Sequence, residues 1–102
     1  MMHELKTWPE PFEAISQGVK PYEIRIFDRP FSVGDSLILR RFENENQEHT
    51  GEFITAIITY VTKPGEWGLP SGQVGVFGFK KTGSGFGEIQ LINIRSILKG
   101  LE

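Results

Sequence analysis

A chain of 102 residues with 38% hydrophobic and 24% charged residues and a net charge of −2 makes one modest globular core rather than a disordered tail. It has no cysteine, and its two histidines, His3 and His49, stand far apart. This excludes disulfides and thiolate chemistry and argues against zinc, so no metal and no other cofactor is expected. No run approaches the roughly 18 apolar residues of a membrane span and none reads as a signal peptide, so a cytoplasmic chain is expected. With a slightly acidic whole, any nucleic-acid binding must come from a local basic patch.

Glu4 to Thr7 reads as a short first strand. Thr7 and Glu10 are spaced as a capping box, and Pro9 suits a first helical turn. Phe12 and Ile15 share one helical face, and Gly18 suits a left-handed cap, so residues 9–17 are predicted as a helix. Residues 20–27 form the second strand. Arg29 to Asp35 turns, broken by Pro30 and Gly34. Ser36 to Phe42 is the third strand, and polar Glu43 to Gly51 is a loop. Phe53 to Thr62, with threonines among Ile, Val and Tyr, is the longest strand.

Lys63 to Ser71 carries two prolines and two glycines and reads as a loop, with Trp67 as a lid over one barrel end in preference to a ligand contact. Gln73 to Lys80 is a strand in which Gly75 and Gly78 allow bends. Thr82 to Gly87 reads as a flexible hairpin tip. Glu88 to Ile94 is a sixth strand, with a helical turn over Ser96 to Lys99. Six short strands and one or two short helices make a mainly β, α+β fold, a small closed or nearly closed barrel. One domain spans residues 1–100, and Leu101-Glu102 fits a tag remnant as well as native sequence. Leu5, Phe12, Ile15, Tyr22, Ile24, Leu37, Leu39, Ile57 and Phe77 are the expected core.

The densest chemistry lies in Gly18-Val-Lys-Pro-Tyr-Glu-Ile-Arg25, followed by Asp28-Arg29 and Val33-Gly-Asp35. Period-two alternation sends Tyr22, Ile24 and Ile26 to one face, expected to be the core, and Glu23 and Arg25 to the other. Strict alternation also separates Lys20 from Glu23 and Arg25. The three converge if Lys20 sits in the turn before the strand, which Gly18 and Pro21 favour. The bland alternatives are a solvated Glu23–Arg25 pair, Trp8 as a core anchor, Asp28-Arg29 as a turn stabiliser and His3 as a terminal polar residue.

The pattern Gly18-x-Lys20-x-x-Glu23-x-Arg25 resembles the signature of the ASCH family of small PUA-like β-barrels. With His3 to Thr7, Trp8-Pro-x-Pro-Phe12 and Asp28-Arg29…Val33-Gly-Asp35, it resembles a bacterial and phage branch of largely unassigned function. The resemblance implies a cleft that binds RNA or a nucleotide. Lys6, Lys20, Arg25 and Arg29 supply cations, Glu23 takes a base edge or orients Arg25, and Trp8 stacks on a base.

A rival reading follows from the same resemblance. Some small ASCH proteins are metal-independent amidohydrolases of N4-acetylated cytidine nucleosides, using a lysine, a threonine and a distant glutamate. The lysine matches Lys20, whereas Glu23 stands at the threonine position. Glu52, Glu66 and Glu88 are open candidates for the distant carboxylate. A binding module is favoured over this enzyme, in which Lys20 and Glu23 would be catalytic. A third option is a protein-interaction surface on the barrel.

Overall fold

The computed structural model describes residues 1–43 and 49–87. In chain order they form β1 (Met2–Thr7), α1 (Pro9–Ser16), β2 (Tyr22–Ile26), β3 (Ser36–Phe42), β4 (His49–Thr62) and β5 (Val74–Phe86). The five strands make one sheet in the order β1-β3-β4-β5-β2, curled into a half-barrel. The fold is mainly β with one short helix. The expected sixth strand at 88–94, the turn at 96–99 and the final dipeptide lie outside the described residues. Among the described residues no helix is long and apolar enough to cross a membrane.

β1 and β3 run parallel, and every other neighbouring pair is antiparallel. A parallel pair needs a crossover, and here α1, β2 and the following turn supply it. β1 and β2 therefore end up as the two edges of the sheet. Two register shifts in the β4–β5 ladder, between Thr55 and Ala56 and between Ile58 and Tyr60, are the irregularities that bend a long strand pair into a curl.

The concave face holds the core. Leu5, Leu37, Leu39, Ile54, Ala56, Ile58, Phe77 and Phe79 point into it, and Phe12 and Ile15 of α1 close it. Phe31 joins from the turn after β2, its ring 4.9 Å from Phe77. Arg41 clamps α1 to the sheet, paired with Glu13 on the helix and lying over the Phe12 ring.

Helix signals held in part. Pro9 is the first helical residue, but the cap is Trp8, with no side-chain cap bond. Thr7 is instead buried at the end of β1, where its hydroxyl faces Arg25. The capping box fails because β1 extends through Thr7. At the other end Gly18 takes a φ of 79°. Its amide donates to Ile15 O and the Val19 amide to Ala14 O, the paired bonds of a glycine-terminated helix.

Other expectations are corrected. Tyr22 and Ile24 are exposed, and Ile57 is only partly buried, its place in the core taken by Ile58. Trp67 is 87% exposed and covers no barrel end. The glycine-rich stretch 82–87 is not a tip, because β5 continues through Phe86 beside β4. Glycine there lets an aromatic ring cross the strand: a Cβ on Gly85 would stand 2.5 Å from the Phe53 ring. The loop expected over 43–51 is shorter at its end, since β4 begins at His49.

Candidate functional site

β2 carries the facing error that matters most. Ile24 is 59% exposed, while Glu23 is 4% exposed. Alternation identifies two faces and does not say which is inward. Burying a carboxylate demands partners, and Glu23 has two. Lys20 Nζ donates to its Oε1 at 2.8 Å and Arg25 Nε to its Oε2 at 2.8 Å. With both oxygens engaged by cations, the polar face of the strand can turn inward and the apolar face outward.

Lys20 reaches Glu23 because β2 starts at Tyr22, so Lys20 lies in the preceding turn and escapes strict alternation. Its amide bonds back to Ala14 O at the helix end. The helix terminus thus fixes where Lys20 leaves the backbone, and Glu23 fixes where its ammonium ends.

Arg25 extends the network across the sheet opening. Its Nη2 donates to the Lys6 carbonyl at 2.6 Å and to Thr7 Oγ1 at 3.4 Å. Both acceptors belong to the opposite edge strand. Arg25 is therefore shared between the buried Glu23 of its own strand and the backbone of β1.

A cleft of about 360 Å³ opens over this network, lined by Lys6, Trp8, Pro11, Lys20, Glu23, Ile24 and Arg25. Its size falls within the range of small-molecule sites, roughly 300–1,000 Å³. Five of the six expected site residues, Lys6, Trp8, Lys20, Glu23 and Arg25, meet here. Trp8 is 48% exposed and is not a core anchor. The Lys6 ammonium lies 5.3 Å from the Phe42 ring centre and that of Lys20 5.5 Å from Tyr22.

Arg29 is absent from this cleft. It lines the next depression along the seam, of about 280 Å³, with Leu5, Ile24, Arg25, Ile26, Asp28 and Phe31. Its Nε is 3.3 Å from Asp28 Oδ1, in an exposed pair. Thr7, Pro11 and Ile24 were not expected at the site. The sequence reads Thr7 as a helix cap and Ile24 as core, and Pro11, although part of the Trp8-Pro-x-Pro-Phe12 run, carries no role in that reading.

A second buried network lies beneath β1. His3, on its inward face, is buried, with Nε2 2.8 Å from Asp35 Oδ2 and its ring 4.6 Å from that of Phe31. It is not a terminal polar residue. The Met1 α-amine and the Ser32 amide also bond Asp35, each at 3.0 Å. Burial raises the Asp35 carboxyl, and these bonds, His3 first, outweigh it, leaving its pKa below the ordinary carboxylate value. His3, Asp35, Met1 and Ser32 support the turn before β3 and line neither of the clefts described above, which the cluster touches through Phe31 alone.

The fold and cleft define a small half-barrel domain with a cationic, aromatic-walled opening between its edge strands. The chain belongs to the family described as a domain of unknown function (DUF3850), whose model matches residues 2–79. That span contains every residue of both depressions. Comparison with curated proteins finds no match.

Proposed function

We propose that the cleft binds RNA or a nucleotide, with phosphate near Lys6, Lys20 and Arg25 and a base against Trp8. One observation carries this reading: three cations and a half-exposed indole converge on one opening, and two of the cations are held there by a buried carboxylate. Fixed cations lose little freedom when they meet an anion. An indole face accepts any base, at about 1–3 kcal/mol per stacked base. The net charge of −2 makes the concentration of cations at one opening more telling. The resemblance of Gly18-x-Lys20-x-x-Glu23-x-Arg25 to the ASCH signature points the same way, towards a PUA-like RNA-binding domain in the cytoplasm.

The Lys20–Glu23 bond weighs against the hydrolytic alternative. A carboxylate beside a lysine favours the charged ammonium, the form with no lone pair to take a proton from water, so this pairing does not suit a base. Glu23 in turn is 4% exposed and each of its oxygens already accepts from a cation, which leaves a water little access to it.

Binding of short single-stranded RNA as a function of salt tests the reading. Three phosphate contacts predict a logarithmic slope of about −2. Trp8→Ala and Lys20→Ala should each weaken binding by roughly five-fold or more. No binding at low salt, or binding indifferent to salt, refutes the proposal. Acetate release from N4-acetylcytidine by the wild type, lost in Lys20→Arg, would establish the hydrolytic reading instead.

A further inference from the structure

The two depressions along the seam share two lining residues, Ile24 and Arg25. One side of Arg25 holds Lys6, Lys20 and Trp8, and the other holds Arg29. Together they follow β2 from the turn before it to the turn after it. Tyr22 to Ile26 alone spans about 13 Å at a strand's rise. A stacked strand advances about 3.4 Å of helix axis per nucleotide, so this track has room for more than one nucleotide.

Backbone polarity along the track adds to the pattern. The Phe79 amide donates to Pro21 O and the Phe27 amide to Gln73 O. In the antiparallel register these bonds place Pro21, Glu23, Arg25 and Phe27 in hydrogen-bonded pairs with β5. The amides and carbonyls of Tyr22, Ile24 and Ile26 therefore point away from β5, into the seam. The Ile24 side chain is exposed beside them. The seam thus offers cations at both ends and an apolar residue with directed backbone groups between them. Lys6, Lys20, Arg25 and Arg29 stand against Glu23 and Asp28, a local surplus of positive charge in an acidic chain.

We propose that the seam is a two-part track for a single strand of RNA rather than a mononucleotide pocket, with Arg29 meeting a second phosphate beyond Arg25. This rests on the nucleotide-binding reading above and specifies its ligand. Asp28 competes for Arg29 in the free protein. Their pair is exposed, and such pairs contribute little, so a phosphate can displace the carboxylate.

The test compares affinities for the four nucleoside monophosphates and for a random-sequence RNA hexamer, with wild type, Arg29→Ala and Arg29→Lys. The hexamer should bind the wild type at least ten-fold more tightly than the best monophosphate. Arg29→Ala should cut the ratio of hexamer to monophosphate affinity by about three-fold or more and flatten the salt slope by about 0.7. Arg29→Lys should restore most of both, which separates lost charge from a damaged fold. If the best monophosphate binds as tightly as the hexamer, or if Arg29→Ala leaves the ratio intact, the two-part track is wrong while nucleotide binding stands. If neither ligand binds at low salt, the nucleotide reading falls and the track with it. A DNA hexamer that binds as well as RNA would overturn the assignment to RNA.

Discussion

Arg25 Nη2 donates to the Lys6 carbonyl at 2.6 Å, joining two strands that share no ladder. The same guanidinium holds Glu23 through Nε. One planar group therefore fixes a buried carboxylate and bridges the edges of the half-barrel. Arginine suits this double task because its donors point in fixed, divergent directions.

Removing that group leaves Glu23 with Lys20 as its remaining cation and β1 without its tie. Arg25→Ala should cost about 2–3 kcal/mol in urea denaturation, below the range for a fully buried pair because Arg25 is partly exposed. Arg25→Lys should recover little, since one ammonium cannot reach both Glu23 and the Lys6 carbonyl. A loss under about 0.5 kcal/mol for Arg25→Ala would mean that the bridge does not support the fold.

The inverted facing of β2 makes an equally direct prediction. Ile24 is exposed and Phe77, across the β2–β5 ladder, is fully buried. Ile24→Ala should change stability by less than about 0.5 kcal/mol. Phe77→Ala should cost about 3–5 kcal/mol, from lost contacts and the cavity left behind. Comparable losses at the two positions would restore the opposite facing.

Sequence patterns located most elements here, because their signals are local. Pro9 and Gly18 bracket the helix through backbone constraints that need no tertiary context. The second strand reads as residues 20–27 but is only Tyr22–Ile26; Gly18 and Pro21 allowed Lys20 a place in the preceding turn without fixing it there. What stayed hidden depends on partners distant in sequence. Glu23 can face inward because Lys20 and Arg25 meet it, and period two carries no sign that distinguishes the faces. Thr7 looked like a helix cap until the parallel β1–β3 pairing carried the strand through it. His3 is drawn inward by Asp35, 32 residues away. The glycines at 83 and 85 read as a tip, whereas Gly85 makes room for the Phe53 ring on the neighbouring strand.

That last role can be measured. A Cβ on Gly75 would lie 2.7 Å from the Phe27 ring, and one on Gly85 2.5 Å from Phe53. Each ring must move, at the expense of its packing, so Gly75→Ala and Gly85→Ala should each destabilise by about 1–3 kcal/mol. Gly72 is the control. Among the described residues nothing lies within 4 Å of its added Cβ, and its φ is outside the left-handed region. Gly72→Ala should be neutral or stabilising by up to about 1 kcal/mol, through reduced freedom of the unfolded chain. Equal effects at all three positions would show that ring contact is not what selects glycine in β5.

Asp35 sets the acid limit that this network contributes. Burial raises its carboxyl, but the bonds from His3, the Met1 amine and the Ser32 amide prevail, and the folded pKa is lowered. An unfolded aspartate titrates near pH 3.9. Between the lowered folded value and that point, the unfolded chain binds more protons than the folded one, so stability rises with pH. The contribution is complete above the unfolded pKa and disappears as pH falls through the folded one. Asp35→Asn removes the charge and keeps the shape. The stability gap between wild type and variant should be largest at about pH 6 and shrink towards about pH 2. Urea denaturation of both proteins across that range measures it. A gap that stays constant with pH would mean that the Asp35 charge does not stabilise the fold and that its role is hydrogen-bond geometry alone.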